Sequence, residues 1–266
     1  MSDSDTRKIA VVTGASSGIG AVYADRLASR GYGLVLVARR ADRLQALSAK
    51  LSKAHGVNVE LINADLTKEE DLAGVEAVLS GNAAVRVLVN NAGLARLRPL
   101  AQSSVEDSLS QIALNVTALT RLTHAVLPVF KARNDGVIVN ISSVLAVHSM
   151  PVSSVYSGTK GFVLNFSRGL QEELAGTGVR VHLVLPASTA TEIWDNSGVP
   201  LSALDEQKVM TTEHMVDAAL AGFDQGEAIT WPSVADSALW ERYDAARASL
   251  FAATQTGIPA PRYKIA

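Results

Sequence analysis

The sequence predicts an α/β protein with a doubly wound, mainly parallel sheet of about seven strands and helices on both faces. Two observations lead to this prediction. Short apolar runs rich in β-branched residues alternate with helical patterns along the chain, and residues suited to chemistry or tight turns follow these runs directly. Parallel strands joined by right-handed helical crossovers form such a sheet. Ligands of such sheets bind at the carboxyl ends of the strands.

The apolar runs are interpreted as strands buried on both faces, the last one more weakly than the others. They cover residues 9–12, 34–37, 57–62, 85–89, 137–141, 179–185 and 228–231. Helical patterns cover residues 18–30, 42–54, 68–79, 104–133, 154–175 and 213–224. Candidate motifs follow the first six runs, beginning at Gly14, Arg39, Asp65, Asn90, Ser143 and Pro186. Because these ends share one rim of the sheet, packing alone hardly explains them.

Length and composition favour a single domain over residues 1–266. No Pro/Ser/Gly linker, charge run or low-complexity block divides the chain of 266 residues. The formal net charge is -2, with Lys and Arg interspersed among Asp and Glu, so no charge asymmetry indicates a nucleic acid or an anionic membrane as partner. The absence of cysteine excludes a disulfide scaffold and a Cys-based zinc site, and no metal is expected.

The first residues do not have the pattern of a signal peptide. The segment from Met1 to Lys8 is acidic before it is basic, and Gly14 interrupts the apolar run that follows. We expect no stretch to approach the ~20 apolar residues of a membrane span. These features lead us to expect a soluble cytoplasmic protein without a membrane partner.

A glycine-rich turn follows the first predicted strand. The segment Thr13-Gly-Ala-Ser-Ser-Gly-Ile-Gly20 has the spacing Gly-x-x-x-Gly-x-Gly. Its glycines allow a tight turn and bring the backbone close to a pyrophosphate at the N-terminus of the next helix. An ordinary strand-to-helix turn is the alternative. The candidate binding residues here are Gly14, Ser16, Ser17, Gly18, Ile19 and Gly20.

A tyrosine and a lysine in the predicted helix 154–175 can serve one site. Tyr156 and Lys160 are four positions apart and therefore lie on the same side of the helix, although a surface pair has the same spacing. An ammonium about 4 Å from a phenolate at an effective dielectric constant near 20 contributes about 4 kcal/mol, or roughly three pKa units. We therefore expect the Tyr156 pKa to lie close to neutral. Spacing to Tyr156 selects Ser143 over Ser142 as a group that stabilises charge on a substrate oxygen.

Together these motifs resemble the short-chain dehydrogenase/reductase family over about residues 7–231, and the glycine spacing is that family's form. The resemblance implies a Rossmann-type domain and a catalytic tetrad of Asn115, Ser143, Tyr156 and Lys160. It assigns Tyr156 as general acid in reduction and base in oxidation. It also implies that Lys160 bonds the nicotinamide ribose and that Asn115 holds a water in the proton path.

The second predicted strand indicates NADP(H) as the cofactor. NAD-binding proteins place an acidic residue about 20 positions past the glycines, but here the strand ends in Arg39 and Arg40. A guanidinium can hold a 2′-phosphate by paired hydrogen bonds. Arg39 is favoured because it occupies the position of the acidic residue, and one of the two arginines can be solvated instead.

The resemblance assigns the remaining cofactor contacts. It implies adenine contact by Asp65 and Leu66, close backbone approach at Asn91, Ala92 and Gly93, and carboxamide binding after Pro186 by Thr189, with Thr191 as its substitute. Helix capping is the alternative for Asp65, Thr189 and Thr191.

The predicted substrate pocket is mostly apolar, which favours a hydrophobic ketone or aldehyde. By family position it comprises Leu94, Ala95, Val144, Leu145, His148, Met150, Ala187 and Trp194. Ala187 replaces the usual glycine and narrows the space beside the nicotinamide. Residues 192–212 are predicted to form a mobile lid, and a flexible surface loop has the same composition.

The end of the chain, residues 236–266, is predicted as a helix followed by a tail. An aromatic-rich stripe in this helix is typical of a core face and, alternatively, of a subunit interface. The family commonly forms homodimers and homotetramers. The tail therefore reaches a neighbouring subunit or is a frayed terminus.

Three other functions remain open at this stage. Two of them are enzymatic, namely reduction of 3-oxoacyl chains on a carrier protein and NAD-dependent oxidation of an alcohol. A carrier protein needs a basic docking surface, for which Arg96 and Arg98 are the candidates. From another class, a non-catalytic NADP(H) sensor keeps the glycine turn and Arg39, but it does not need the tetrad.

Overall fold

The sheet has the predicted doubly wound architecture. A computed structural model describes residues 8–264, and within these the sheet contains seven parallel strands in the order β3-β2-β1-β4-β5-β6-β7. The strands are β1 (Ile9–Thr13), β2 (Gly33–Ala38), β3 (Val59–Asn63), β4 (Val85–Asn90), β5 (Gly136–Ile141), β6 (Val179–Val184) and β7 (Ile229–Thr230). The strand order reverses between β1 and β4. Ligands of such sheets bind beyond the carboxyl ends at this position.

Eight α-helices connect or follow the described strands. They are α1 (Gly18–Ser29), α2 (Ala41–His55), α3 (Glu69–Gly81), α4 (Val105–Ile112), α5 (Leu119–Arg133), α6 (Ser154–Glu173), α7 (Thr212–Asp224) and α8 (Ala238–Ala253). Local chemistry fixes several ends. The Ser104 hydroxyl accepts from the backbone N–H of Asp107 at the start of α4, and Gly56 ends α2 in the left-handed conformation.

The two faces of the sheet carry separate apolar cores. Val12 of β1 belongs to a core that includes residues of α1, α2 and α7, whereas its neighbour Val11 belongs to a core formed with α3, α5 and α6. Both side chains are fully buried. Successive residues of a strand point to opposite faces, so a run of apolar residues without alternation is what a sheet covered on both sides requires.

One strand departs from the prediction that every strand is buried on both faces. β3 pairs with β2 alone among the described strands, and Glu60 and Asn63 in it are exposed. The prediction is wrong for β3 because an edge strand has solvent beside it. Charged and polar side chains on an edge also hinder pairing with other chains.

The predicted helix 104–133 is interrupted. A π-helical turn, Ala113–Ala118, separates α4 from α5. By length and mean hydropathy (1.3) the whole stretch Val105–Arg133 could cross a membrane, and 33% of its most apolar window is buried. This corrects the expectation that no stretch approaches a membrane span. Leu122, Val126 and Phe130 of α5 are 0–1% exposed within the core, so core packing accounts for these apolar residues of the stretch.

The described chain divides into two compact units, one ending at Pro232 and the other beginning at Ser233. The first unit holds the whole sheet. In the second, α8 has no buried residue, and Tyr243, Leu250 and Phe251 are exposed. The core interpretation of its aromatic stripe is therefore wrong. The extent of the single predicted domain stays a prediction, and most of the segment examined for a signal peptide, residues 1–7, lies outside the described residues.

Candidate active site

A cleft of about 1110 Å³ runs along the carboxyl ends of the strands. Five of the six predicted motif starts line it, namely Gly14, Arg39, Asp65, Ser143 and Pro186. Asn90 does not. Its side chain is buried and donates to Thr123 Oγ1 at 3.1 Å and to Asn140 Oδ1 at 2.9 Å, so it ties β4 to its neighbours beneath the cleft.

The glycine turn leaves no room for a side chain at Gly14 or Gly18. Gly14 has φ 65°, and a Cβ there would lie 2.8 Å from Asn91 Nδ2. Gly18 has φ 55°, and its Cβ would lie 3.2 Å from Thr191 Cγ2. Both residues adopt the left-handed backbone conformation and have a close neighbour where a Cβ would lie. Glycine alone tolerates both conditions without strain. The turn therefore fits the cradle for a pyrophosphate at the start of α1.

Thr13 and Asn91 join the loops after β1 and β4. The Thr13 hydroxyl donates to Val89 O at 3.1 Å and accepts from the N–H groups of Asn91 and Ala92, both at 3.0 Å. Asn91 Nδ2 donates in turn to Thr13 O at 2.9 Å. The backbone of Ala92 and Gly93 is thereby held at the cleft wall. Thr13 is a further residue that shapes the site, and its position directly before Gly14 is its signal in the sequence.

Arg40, rather than Arg39, contacts the glycine turn. Its Nη2 donates to Ser16 Oγ at 2.9 Å and to Ser17 Oγ at 2.7 Å, and its Nε donates to Ser16 Oγ at 3.2 Å. Arg39 is exposed, although it also lines the cleft. Both arginines therefore remain candidates for a phosphate contact, and the geometry favours Arg40 over Arg39.

Two further charged residues, absent from the predicted cofactor contacts, line this end of the cleft. Glu192 accepts from Arg40 Nη1 at 2.6 Å and forms a second ion pair with Arg43. Hydrogen bonds from these two guanidiniums lower the Glu192 pKa to about 2. The sequence signal for Arg43 is its position three residues after Arg40, in the first turn of α2, for which Arg40 is the N-cap residue.

Asp65 lines the cleft but also closes a local turn. Its Oδ1 accepts from the Thr67 N–H at 3.1 Å and from the Thr67 hydroxyl at 2.7 Å. Burial raises the Asp65 pKa, but these hydrogen bonds and the charge of Arg39 together lower it by more. The net shift of the pKa is therefore downward. Leu66 is buried in the core and touches the cleft as well.

The π-helical turn fixes Asn115. This side chain is 1% exposed, and its amide bonds the backbone of Leu94 twice, with Nδ2 to Leu94 O and Leu94 N to Oδ1, both at 2.9 Å. Its Nδ2 also donates to Thr159 Oγ1 at 3.1 Å. A π turn adds a residue to a helix and occurs often at functional sites. Asn115 therefore couples the loop after β4 to α6, one residue from Lys160.

Ser143 and Tyr156 meet in the cleft. The Ser143 hydroxyl accepts from Leu145 N–H at 3.1 Å and also bonds the Tyr156 phenol. Burial raises the Tyr156 pKa to about 12, although the Ser143 bond lowers it in part. Ser142 points elsewhere, since its hydroxyl donates to Lys160 O at 2.9 Å and anchors α6 to β5.

Lys160 lies beneath Tyr156. Its side chain is buried, Nζ donates to Ile141 O at 2.9 Å, and Nζ lies 5.7 Å from the centre of the Tyr156 ring. Burial lowers the Lys160 pKa to about 8. The expectation that Lys160 brings the Tyr156 pKa close to neutral is wrong for this structure. Burial removes the water that would stabilise the phenolate, and this is the largest effect on the Tyr156 pKa.

The segment after β6 closes the opposite wall. Thr189 is buried, its hydroxyl donates to Ala187 O at 3.1 Å, and its backbone oxygen accepts from Trp194 Nε1 at 2.8 Å. Thr191 occupies the N-cap position of the short 3₁₀ turn Glu192–Asn196, but its side chain makes no capping bond. Both threonines line the cleft together with Pro186 and Ala187.

Most residues predicted for the substrate pocket line the cleft, namely Leu94, Ala95, Val144, Leu145, Met150, Ala187 and Trp194. His148 is not among the lining residues and is exposed. Arg96 lines the cleft, but its Nε donates to Asp107 at 3.0 Å and its Nη1 to Asn196 O at 2.5 Å. Its charge is therefore engaged, which weakens the case for carrier-protein docking there.

The predicted lid is a structured loop over the cleft. Between Glu192 and Lys208 it forms three short 3₁₀ turns, and Trp194, Val199 and Leu204 in it line the cleft. Leu97 N donates to Ser197 O at 2.6 Å on one side, and Thr189 forms a bridge with Met210 at the end of the loop. Its predicted mobility stays a prediction.

Comparison with known proteins gives one family. The family model described as short chain dehydrogenase matches residues 8–199. A short-chain dehydrogenase from Sphingobium yanoikuyae, solved in complex with NADPH, is 46% identical, with a TM-score of 0.93 over 96% of this chain and 100% of that one. The bulky-bulky ketone specific alcohol dehydrogenase from Comamonas testosteroni is 39% identical, with a TM-score of 0.89 over 97% of this chain and 99% of that one.

A human relative is similar over a shorter range. The 17-beta-hydroxysteroid dehydrogenase type 3 of Homo sapiens is 36% identical over 201 residues. The match covers 74% of this chain and 64% of that protein. The chain therefore spans less than two thirds of that relative, whose remaining length has no counterpart in the match.

Proposed function

This chain belongs to the short-chain dehydrogenase/reductase family, and from that premise we propose that it is an NADPH-dependent carbonyl reductase and alcohol dehydrogenase. Family membership makes it an oxidoreductase. One observation carries the finer proposal: Ser143, Tyr156 and Lys160 line the same cleft as the glycine turn. A proton donor, a charge-stabilising hydroxyl and a cradle for a nucleotide thus share one cavity.

The cofactor proposed is NADP(H), and the residues fit it. The cradle at Gly14 and Gly18 admits close backbone contact, and the cleft exceeds the ~300–1,000 Å³ of common ligand pockets, which suits a dinucleotide plus a substrate. The cationic pair Arg40 and Arg43 supports a 2′-phosphate contact, and the similar Sphingobium protein is described in complex with NADPH. When bound, this cofactor supplies or accepts the hydride.

The same residues that line the nucleotide end of the cleft would hold the cofactor. We assign the pyrophosphate to the glycine turn, the adenosine to the neighbourhood of Arg40 and Asp65, and the carboxamide to Thr189 or Thr191. The turn contributes Gly14, Ser16, Ser17, Gly18 and Ile19, and the loops after β3, β4 and β6 contribute Leu66, Asn91, Ala92, Gly93 and Pro186. Gly20 lies behind this lining, where a Cβ would come within 2.5 Å of Gly14 O, so it lets the turn close.

Tyr156 is the proposed proton donor in reduction. With a pKa raised to about 12, its phenol remains protonated at neutral pH and can donate to a carbonyl oxygen as charge develops there. The Ser143 hydroxyl, bonded to the same phenol, can stabilise that oxygen and the phenolate left behind. In oxidation the proton returns along the same contact.

Lys160 and Asn115 have distinct proposed tasks. The Lys160 ammonium is buried on Ile141 O below the tyrosine, where its charge favours a phenolate in the transition state. Asn115 holds the Leu94 backbone and Thr159, so it positions the wall of the pocket beside the tyrosine. The water that the family resemblance assigns to Asn115 remains part of the proposal.

The proposed substrate is a hydrophobic ketone or aldehyde. Leu94, Leu145, Met150 and Trp194 are among the residues that line the cleft. The ketone specificity of the similar Comamonas enzyme supports the same class of substrate for this chain. Ala187 restricts the space beside the reacting carbon, which limits the bulk of one substituent.

We also propose a homodimer or homotetramer in the cytoplasm. Support comes from apolar side chains on α4 and α6 that are exposed in a single chain, namely Val105, Leu109, Ile112 and Phe162. Sedimentation equilibrium would test the assembly, since a monomer at micromolar concentration would contradict it.

The decisive experiment follows the absorbance of the reduced nicotinamide with NADPH and then NADH. Its substrates are hydrophobic ketones, aldehydes, α-diketones and 3-oxoacyl thioesters, and Tyr156→Phe serves as control. Turnover with NADPH that the variant abolishes would support the proposal. Binding of NADPH without turnover on any substrate would favour the sensor, and preference for NADH would contradict the cofactor assignment.

A further inference from the structure

The first residue of the loop over the cleft, Glu192, is bound to the proposed nucleotide end. Its carboxylate accepts from Arg40 Nη1 at 2.6 Å and also pairs with Arg43. The other donors of Arg40 bond Ser16 and Ser17 in the glycine turn. Arg40 thus links the turn, α2 and the loop over the cleft through one guanidinium.

The three charges of this cluster are not balanced. Arg40 and Arg43 contribute two positive charges, and Glu192 contributes one negative charge that persists over the neutral range because its pKa is about 2. The side chains remain 40–44% exposed, so an anion from solution can reach them. A phosphate dianion carries more charge than a carboxylate and offers more acceptor oxygens to the two guanidinium forks.

We propose that Glu192 is a specificity-determining residue that occupies the anion site of Arg40 and Arg43 until the 2′-phosphate of NADP(H) displaces it. The proposal rests on the NADP(H) function above. Displacement breaks two ion pairs, so Glu192 lowers the affinity for NADP(H) and leaves that for NAD(H) nearly unchanged. Displacement of Glu192 by a 2′-phosphate also frees the first turn of the loop.

The neighbours of Glu192 provide a signal for this movement. Trp194, two residues further along the same 3₁₀ turn, lines the cleft and donates from Nε1 to Thr189 O at 2.8 Å. On the other side, Thr191 packs where a side chain at Gly18 would lie. A shift of Glu192 therefore changes the surroundings of an indole, which fluorescence detects.

The test compares two ligands that differ by the 2′-phosphate alone, adenosine 2′,5′-bisphosphate and 5′-AMP. Calorimetric titration of Glu192→Gln should show tighter binding of the bisphosphate by about threefold to tenfold, as expected for the removal of two exposed ion pairs. Binding of 5′-AMP should stay within about twofold. Asp195→Asn removes an equal charge from the same turn and is the matched control, for which we expect about twofold change at most.

The sign of the effect decides between displacement and support. Unchanged or weaker binding of the bisphosphate by Glu192→Gln would overturn the proposal, because a carboxylate that merely orients the arginines would strengthen phosphate binding. An equal gain in Asp195→Asn would also overturn it, since general electrostatics would then suffice. If the wild-type protein does not prefer the bisphosphate to 5′-AMP, the NADP(H) function fails as well, and the two failures are thereby distinguished.

Trp194 emission gives an independent measurement. The bisphosphate should shift the emission of the wild-type protein, and Glu192→Gln without ligand should already show most of that shift. Trp194→Phe identifies the contribution of this indole among those of the chain. A ligand-induced shift of equal size in wild type and Glu192→Gln would overturn the release of the loop.

Discussion

The Lys160 ammonium nitrogen lies 5.7 Å from the centre of the Tyr156 ring, and burial shifts the pKa values of both residues toward the neutral forms. The phenol pKa rises to about 12, and the ammonium pKa falls to about 8. At pH 7 the phenol is protonated and most of the lysine is charged. The pair is therefore set for proton donation to a substrate.

The first prediction concerns the pH dependence of carbonyl reduction. The rate should be highest below pH 8 and fall about tenfold per pH unit well above it, because Lys160 loses its charge as pH rises through its pKa of about 8. Initial rates from pH 6 to 10 at saturating cofactor would check this. A rate that stays constant up to pH 9.5 would exclude Lys160 as the titrating group.

The adjacent serines after β5 should have separable effects. Ser143→Ala should lower kcat by about 10²–10³, because its hydroxyl bonds Tyr156 at the reacting centre. Ser142→Ala should leave kcat within about threefold and lower the free energy of unfolding by about 1–2 kcal/mol, since its hydroxyl only bonds Lys160 O. Steady-state kinetics and urea unfolding of both variants provide the measurement. Equal kinetic losses would contradict the assignment of Ser143.

The two arginines after β2 should also differ. Arg40→Ala should weaken binding of NADPH by about tenfold or more with a small effect on NADH, because Arg40, held at the turn by Ser16 and Ser17, is the proposed partner of the 2′-phosphate that NADH lacks. Arg39→Ala should change binding less, since that side chain is exposed. Equilibrium dissociation constants for both cofactors would check this. A larger loss in Arg39→Ala would restore the original sequence-based preference.

A buried histidine should make the fold sensitive to acid. His182 in β6 bonds Thr230 Oγ1 through Nε2 at 2.9 Å, and Thr230 in turn donates to Glu227 at 2.6 Å. Burial lowers the His182 pKa to about 4, so the unfolded chain takes up the proton first as pH falls below about 6.5. Stability from this group is present above pH 6.5 and should decrease by about 2 kcal/mol between pH 7 and pH 5.

His182→Gln keeps a donor to Thr230 but cannot titrate. Urea unfolding at both pH values should therefore show a smaller loss of stability for this variant than for the wild type. The same loss in both proteins would assign the acid sensitivity to other groups.

Sequence reasoning succeeded where local pattern and topology agree. The apolar runs predicted all seven described strands, and parallel topology then brought the residues after them into one cleft. Prediction was less successful where the direction of a side chain decides whether a residue lines the cleft or contacts the glycine turn. Asn90 packs beneath the cleft, His148 is exposed outside its lining, and Arg40 rather than Arg39 contacts the glycine turn, because a one-residue difference at the end of a strand changes the face on which a side chain lies.

Electrostatics was harder to predict than position. The pKa of Tyr156 depends on how much water the fold removes, which no spacing between Tyr156 and Lys160 reveals. The ion pairs of Glu192 join it to Arg40 and Arg43, which lie 152 and 149 positions earlier in the chain. Only the three-dimensional structure brings such partners together.

The π-helical turn Ala113–Ala118 makes the site sensitive to chain length. A π turn holds one residue more than the α-helical turns beside it, so deletion of a single residue here would let the backbone form a regular helix with α4 and α5 nearly in place. Because each residue of an α-helix advances the side-chain direction by about 100°, the residues inside the turn would then point in new directions. Secondary structure would survive such a deletion, but Asn115 would no longer face Leu94. Homologues that differ in length within this turn should therefore differ in catalysis even where every residue type of the tetrad is retained.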